Sequence, residues 1–70
     1  MNLEFKEIVE NKLILLYIIS KLDISSIQLM NIVLENKFMH YFKLQQCISE
    51  LLNDQYITSY KNQNKEFYQI

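Results

Sequence analysis

The stretch KFMHYFKLQQCISELLNDQYITSYK, residues 37–61, decides the fold. On a helical wheel Leu44, Ile48, Leu51 and Leu52 share one arc, with Tyr41 and Cys47 at its edges. The opposite arc carries Gln45, Gln46, Ser49 and Asn53, flanked by Lys43 and Glu50. That pattern predicts an amphipathic helix from Tyr41 to Asn53. The chain has neither Gly nor Pro, so Asn53-Asp54 must supply the stop. YITSYK then changes character to the β-branched and aromatic residues of a strand. NQNK reads as a short turn and EFYQI as the returning strand.

Two helices are expected upstream. Phe5, Ile8, Val9, Leu13 and Leu16 recur at helical spacing, which predicts a first helix from Glu4 to Lys21, with a break near Asn11 as a variant. Asn2 is the expected N-cap, and Glu4 suits the positive end of the helix dipole. The second half of this helix, LILLYII at 13–19, is apolar all round. One face should pack inside the domain and the other should meet a second subunit through Phe5, Ile8, Leu15, Ile18 and Ile19. The alternative is that the remaining elements wrap it completely. Leu22, Asp23 and Ile24 form a connector, and Ser25 stands three residues before Gln28, a capping-box signature. The second helix should run from Ser26 to Glu35 with Ile27, Met30, Val33 and Leu34 inward, and stop at Asn36 in the left-handed conformation.

Three helices followed by a β-hairpin is the order of a winged helix-turn-helix: one mostly α domain over residues 1–70 with a two-stranded wing. ENKLILLYIISKLD at 10–23, VLENKF at 33–38 and YFKLQQCISELLNDQYI at 41–57 resemble one uncharacterised winged-helix family of low-GC bacteria, described as regulator-like. The resemblance covers residues 10–61 and is most specific at the LQQ and SEL positions of the third helix. It implies a winged helix and, by analogy, DNA binding; it implies no catalytic residue and no cofactor. Members of that family continue beyond the wing, whereas this chain stops at Ile70, which bears on any C-terminal dimerisation or sensor region. They also commonly carry Gly where Gln55-Tyr56 leads into the strand.

Charge and chemistry narrow the function classes. Seven Lys stand against eight acids, with no Arg. Residues 36–70 hold Lys37, Lys43, Lys61 and Lys65 against Glu50, Asp54 and Glu66, so a polyanion should meet that half. Gln45 and Gln46 lie near the start of the third helix, where an amide can both donate to and accept from adenine. Ser49 and Asn53 continue that face, and Lys43 suits a phosphate. Lys61 and Lys65 belong to the wing; Ser26 and Gln28 would meet phosphate at the second helix. The same residue types also dress any solvated helix face. The absence of Arg removes the commonest guanine contact, and Glu50 would repel phosphate or accept from cytosine.

Other chemistry is poorly supplied. One His and one Cys cannot make a Cys/His zinc set, so no metal and no cofactor is expected. Cys47 borders the apolar arc as a small buried hydrophobe, and His40 reads as a turn residue, so no enzyme is expected. The lone Cys fits a reducing cytosol, and no apolar run spans a bilayer. Phe38, Met39, Tyr41 and Phe42 form an aromatic-rich turn. Phe42 falls opposite the apolar arc if helical, and exposure there would favour a protein partner. Tyr56, Tyr60, Phe67 and Tyr68 should zip the hairpin together. The expectation is a cytoplasmic bacterial homodimer that binds duplex DNA as a transcription regulator. The rivals are a protein-interaction module on the same scaffold and an excisionase-like accessory factor.

Overall fold

The computed structural model describes residues 3–70. The expected Asn2 cap and the side chain of Glu4 lie outside the described residues. Three helices, α1 (Leu3–Lys21), α2 (Ser26–Glu35) and α3 (Tyr41–Asn53), precede two strands, β1 (Thr58–Asn62) and β2 (Lys65–Gln69). The strands form an antiparallel pair with Asn62 opposite Lys65 and Thr58 opposite Gln69. This arrangement fits a winged-helix-like topology.

One core holds the elements together. Leu15 and Ile18 of α1, Leu29 and Val33 of α2, and Leu44, Cys47, Ile48 and Leu51 of α3 are buried together with Met39 and Ile57. Helix α1 runs unbroken through Asn11, which is itself buried, and its Nδ2 has no hydrogen-bond partner. Leu15 and Ile18, expected at a dimer surface, belong instead to this core. An all-apolar run has no periodicity to tell inside from outside, and the packing of α3 and β2 against α1 decides it. Ile19 and Ile8 are half-buried, and Phe5 is exposed.

The capping box forms at α2. The Ser25 N–H donates to Gln28 Oε1 at 2.9 Å, and the Gln28 N–H donates to Ser25 Oγ at 3.3 Å. Ser25 also bridges Phe67 of β2, so the start of α2 is tied to the hairpin. Helix α2 also packs along its length on α3 and β2, and this packing fixes its rotation. Leu29 and Val33 point inward with Met30 and Ile32 beside them, while Ile27 is 62% exposed and Leu34 also faces out. The inward set expected from sequence was therefore turned about its axis.

Lacking glycine, the chain closes its helices with other residues in the left-handed region. Asn36 caps α2 at φ −88°, and the positive φ falls one residue later, on Lys37 at 56°. The Lys37 N–H then donates to Leu34 O at 3.2 Å and the Phe38 N–H to Val33 O at 3.0 Å, the Schellman arrangement. Helix α3 ends the same way. Gln55 sits at φ 65°, with Gln55 N–H to Leu52 O at 3.1 Å and Tyr56 N–H to Leu51 O at 2.9 Å. This turn delivers Ile57 to the core and starts β1 two residues later than Tyr56. Gln63 and Asn64, both at positive φ, make the two-residue hairpin loop. Tyr60 stacks on Phe67 across the strands with ring centroids 5.5 Å apart.

A Cβ in the left-handed region costs about 1–2 kcal/mol, offset in part by the chain entropy of glycine. Gln55→Gly and Lys37→Gly should each stabilise the fold by about 0.5–1 kcal/mol, read as a rise of a few degrees in thermal midpoint. An unchanged or lower midpoint would show that the Gln55 and Lys37 side chains contribute more than their backbone strain costs.

Candidate nucleic-acid interface

Burial of Leu44, Cys47, Ile48 and Leu51 fixes which side of α3 faces away from the domain. Gln45, Gln46, Ser49 and Asn53 are all exposed, where the wheel placed them. Between them stands Phe42, helical and 82% exposed, its ring meeting the Tyr41 ring edge-on at 5.7 Å. Lys43 lies at the flank and is half-buried. His40 is the N-cap residue of α3 and makes no side-chain capping bond.

Gln46 and Glu50 are not independent. Gln46 Nε2 donates to Glu50 Oε2 at 3.0 Å, and Lys12 Nζ of α1 meets Glu50 Oε1 at 2.7 Å. The Lys12 ammonium, then the Gln46 amide, hold the Glu50 carboxyl below its ordinary value. The same hydrogen bond to Glu50 raises the Lys12 ammonium, with partial burial opposing it. Both shifts favour the charged forms, so the pair is neutral as a unit. The one carboxylate of α3 is thereby compensated, and the repulsion expected of Glu50 is reduced. In return the Gln46 amide is partly engaged along its own helix and is less available for bidentate readout. Nothing local in the sequence links Lys12 to Glu50.

The remaining expected contacts divide. Gln28 is exposed, but its Oε1 is committed to the cap on Ser25, so its role is structural before any phosphate is considered. Ser26 is half-buried in a groove between α2, α3 and β2 that Gln45, Tyr41, Glu66 and Tyr68 also line. Lys65 is exposed beside the hairpin turn, and Lys61 is exposed directly across the ladder from Glu66. Glu66 accepts a hydrogen bond from the Tyr68 hydroxyl at 3.2 Å. Burial first, then the Glu66 charge, push that hydroxyl up to about 12. Gln45, Ser49 and Asn53 are thus the unburdened amide and hydroxyl groups of the face.

A second surface lies on α1. Phe5, Val9, Leu13 and Tyr17 repeat every four residues and are 54%, 39%, 60% and 65% exposed. Leu13 and Tyr17 line an apolar hollow with Phe38, at the end of α2. Of the residues expected at a dimer contact, Phe5 lies on this exposed stripe, with Val9, Leu13 and Tyr17. The four-residue spacing was present in the sequence but hidden among equally apolar neighbours.

Cys47 is buried and burial pushes its thiol up, away from the reactive thiolate. Among the described residues, no group of three or more His, Cys, Asp or Glu could hold a metal ion. No helix among them is long and apolar enough to cross a membrane.

No curated protein and no solved structure matches the chain. A family model does match, over residues 11–70, from the middle of α1 through α2, α3 and the whole hairpin. The chain belongs to that family, which is described as a domain of unknown function (DUF4364).

Proposed function

We propose that this protein binds duplex DNA through α3 and the hairpin, as a homodimer joined by α1, and regulates transcription by occupying its site. The observation that carries the reading is the outward face of α3. Gln45, Ser49 and Asn53 are exposed there, and the helix's single carboxylate is neutralised by Lys12. A helix entering the major groove needs hydrogen-bonding groups that face out and no uncompensated negative charge. The hairpin adds Lys61 and Lys65 as phosphate contacts, and Lys43 adds one at the flank. The mechanism is positioning and occupancy, with no chemical step.

Few lysines per protomer make dimerisation important. Three neutralised phosphates give a slope of log affinity on log salt of about −3, and six give about −5. The Phe5, Val9, Leu13 and Tyr17 stripe offers the isologous contact that pairs two copies. The second reading is a protein-interaction module, favoured by the exposed Phe42 ring and by the same α1 stripe.

Titrating a mixed-sequence duplex at low salt tests the reading. Salt-sensitive binding with a slope near −5 supports a DNA-binding dimer; no binding at concentrations that maintain the dimer favours the protein partner. Lys12→Ala removes no group from the proposed DNA face but frees the Glu50 charge beside it. It should weaken binding about threefold, and adding Glu50→Gln should restore it. Failure of the second change to restore binding would mean that Lys12 acts otherwise. Leu13→Glu should give a monomer in sedimentation with an unchanged far-UV spectrum. A persistent dimer would place the subunit contact elsewhere.

A further inference from the structure

Phe42, Gln45, Ser49 and Asn53 lie at i, i+3, i+7 and i+11 along α3, a single stripe down its exposed side. At 1.5 Å per residue the stripe is about 16 Å long, enough to follow four or five base pairs. Its most exposed member is apolar: Phe42 is 82% exposed. On the floor of the major groove the thymine C5 methyl is the apolar group that such a ring can cover.

The other groups on and beside the stripe favour the same base pair. Gln45 and Asn53 carry amides, whose paired donor and acceptor match N6 and N7 of adenine. The residue best suited to guanine is absent, since the chain contains no Arg. Lys43, the lysine within α3, is half-buried at the flank. A carboxylate would accept from N4 of cytosine, but the only one in α3 is Glu50. Its two oxygens are already bonded to Lys12 and Gln46. Lys37, Lys61 and Lys65 are exposed on the turn before α3 and on the hairpin, and Glu50 is neutralised by Lys12; Asp54 at the end of α3 and Glu66 opposite Lys61 are the acids that stand against them.

From this stripe we infer that α3 selects A·T base pairs in the major groove, with Phe42 covering a thymine methyl and Gln45 reading the adjoining adenine. The inference rests on the duplex-DNA reading above and adds base preference to it. Phe42 is then a specificity-determining residue, and its exposure in the free protein is the cost of an apolar contact made only on the DNA.

Three duplexes of one length separate this inference from the reading beneath it: an A·T core, the same core with uracil in place of thymine, and a G·C core. Binding is read by fluorescence anisotropy at low salt. The A·T core should bind at least tenfold tighter than the G·C core. Uracil, which lacks the methyl, should weaken binding about threefold to fivefold for each methyl covered. Phe42→Ala, at an exposed position, should keep the fold by circular dichroism and erase the thymine–uracil difference. Gln45→Ala should narrow the gap between A·T and G·C. Equal, salt-sensitive affinity for all three duplexes would overturn the base preference and leave DNA binding standing. A thymine–uracil difference that survives Phe42→Ala would overturn the role of Phe42. No binding to any of the three duplexes would overturn this inference and the reading beneath it together.

Discussion

The packing of Leu44, Cys47, Ile48 and Leu51 against α1 and α2 is the constraint on which the rest depends. It sets the rotation of α3 about its own axis. Once those four side chains are inside, Phe42, Gln45, Ser49 and Asn53 must be outside, whatever they do there. The Schellman turn at Gln55 then hands the chain to the hairpin from a fixed point, because Tyr56 is bonded back to Leu51. The lysines of the hairpin are thereby placed relative to the face of α3. A polar residue at Leu51 would loosen both relations at once, since Leu51 is 1% exposed and its carbonyl accepts from the turn.

Electrostatics act at a second level. The domain carries nearly balanced charge, so no strong long-range field draws a polyanion to it. What matters is local. Lys12 reaches from α1 to Glu50 and neutralises the one carboxylate within α3, while Asp54 at its end and Glu66 across the groove stay charged. The contact also joins two functions proposed for different helices, because Lys12 lies next to Leu13 of the exposed α1 stripe. A partner seated on α1 would therefore sit within reach of the group that tunes α3.

Much of this architecture was legible in the sequence, and the failures have physical causes. Helix α3 was readable to its end residues because apolar and polar positions alternate with a clear helical period. The capping box at Ser25 and Gln28 was readable because it is local. The inward face of α2 was not, because Ile27, Leu29, Met30, Ile32, Val33 and Leu34 offer more apolar positions than one face can hold. The choice falls to packing on α3 and β2, contacts distant in sequence. The same surplus hid the exposed stripe of α1 and misassigned Leu15 and Ile18. Left-handed residues at Lys37 and Gln55 had no glycine to mark them. Lys12 and Glu50 carry no pattern that would pair them.

The central claim is that α3 turns its amide and hydroxyl groups, with Phe42 among them, to duplex DNA. The most direct measurement is the change in backbone amide NMR shifts as a short duplex is added to the labelled protein. The account predicts the largest changes at Phe42, Gln45, Ser49 and Asn53 and on the hairpin around Lys61 and Lys65, with α1 from Val9 to Tyr17 nearly still. Changes confined to α1, or none anywhere at saturating duplex, would contradict it.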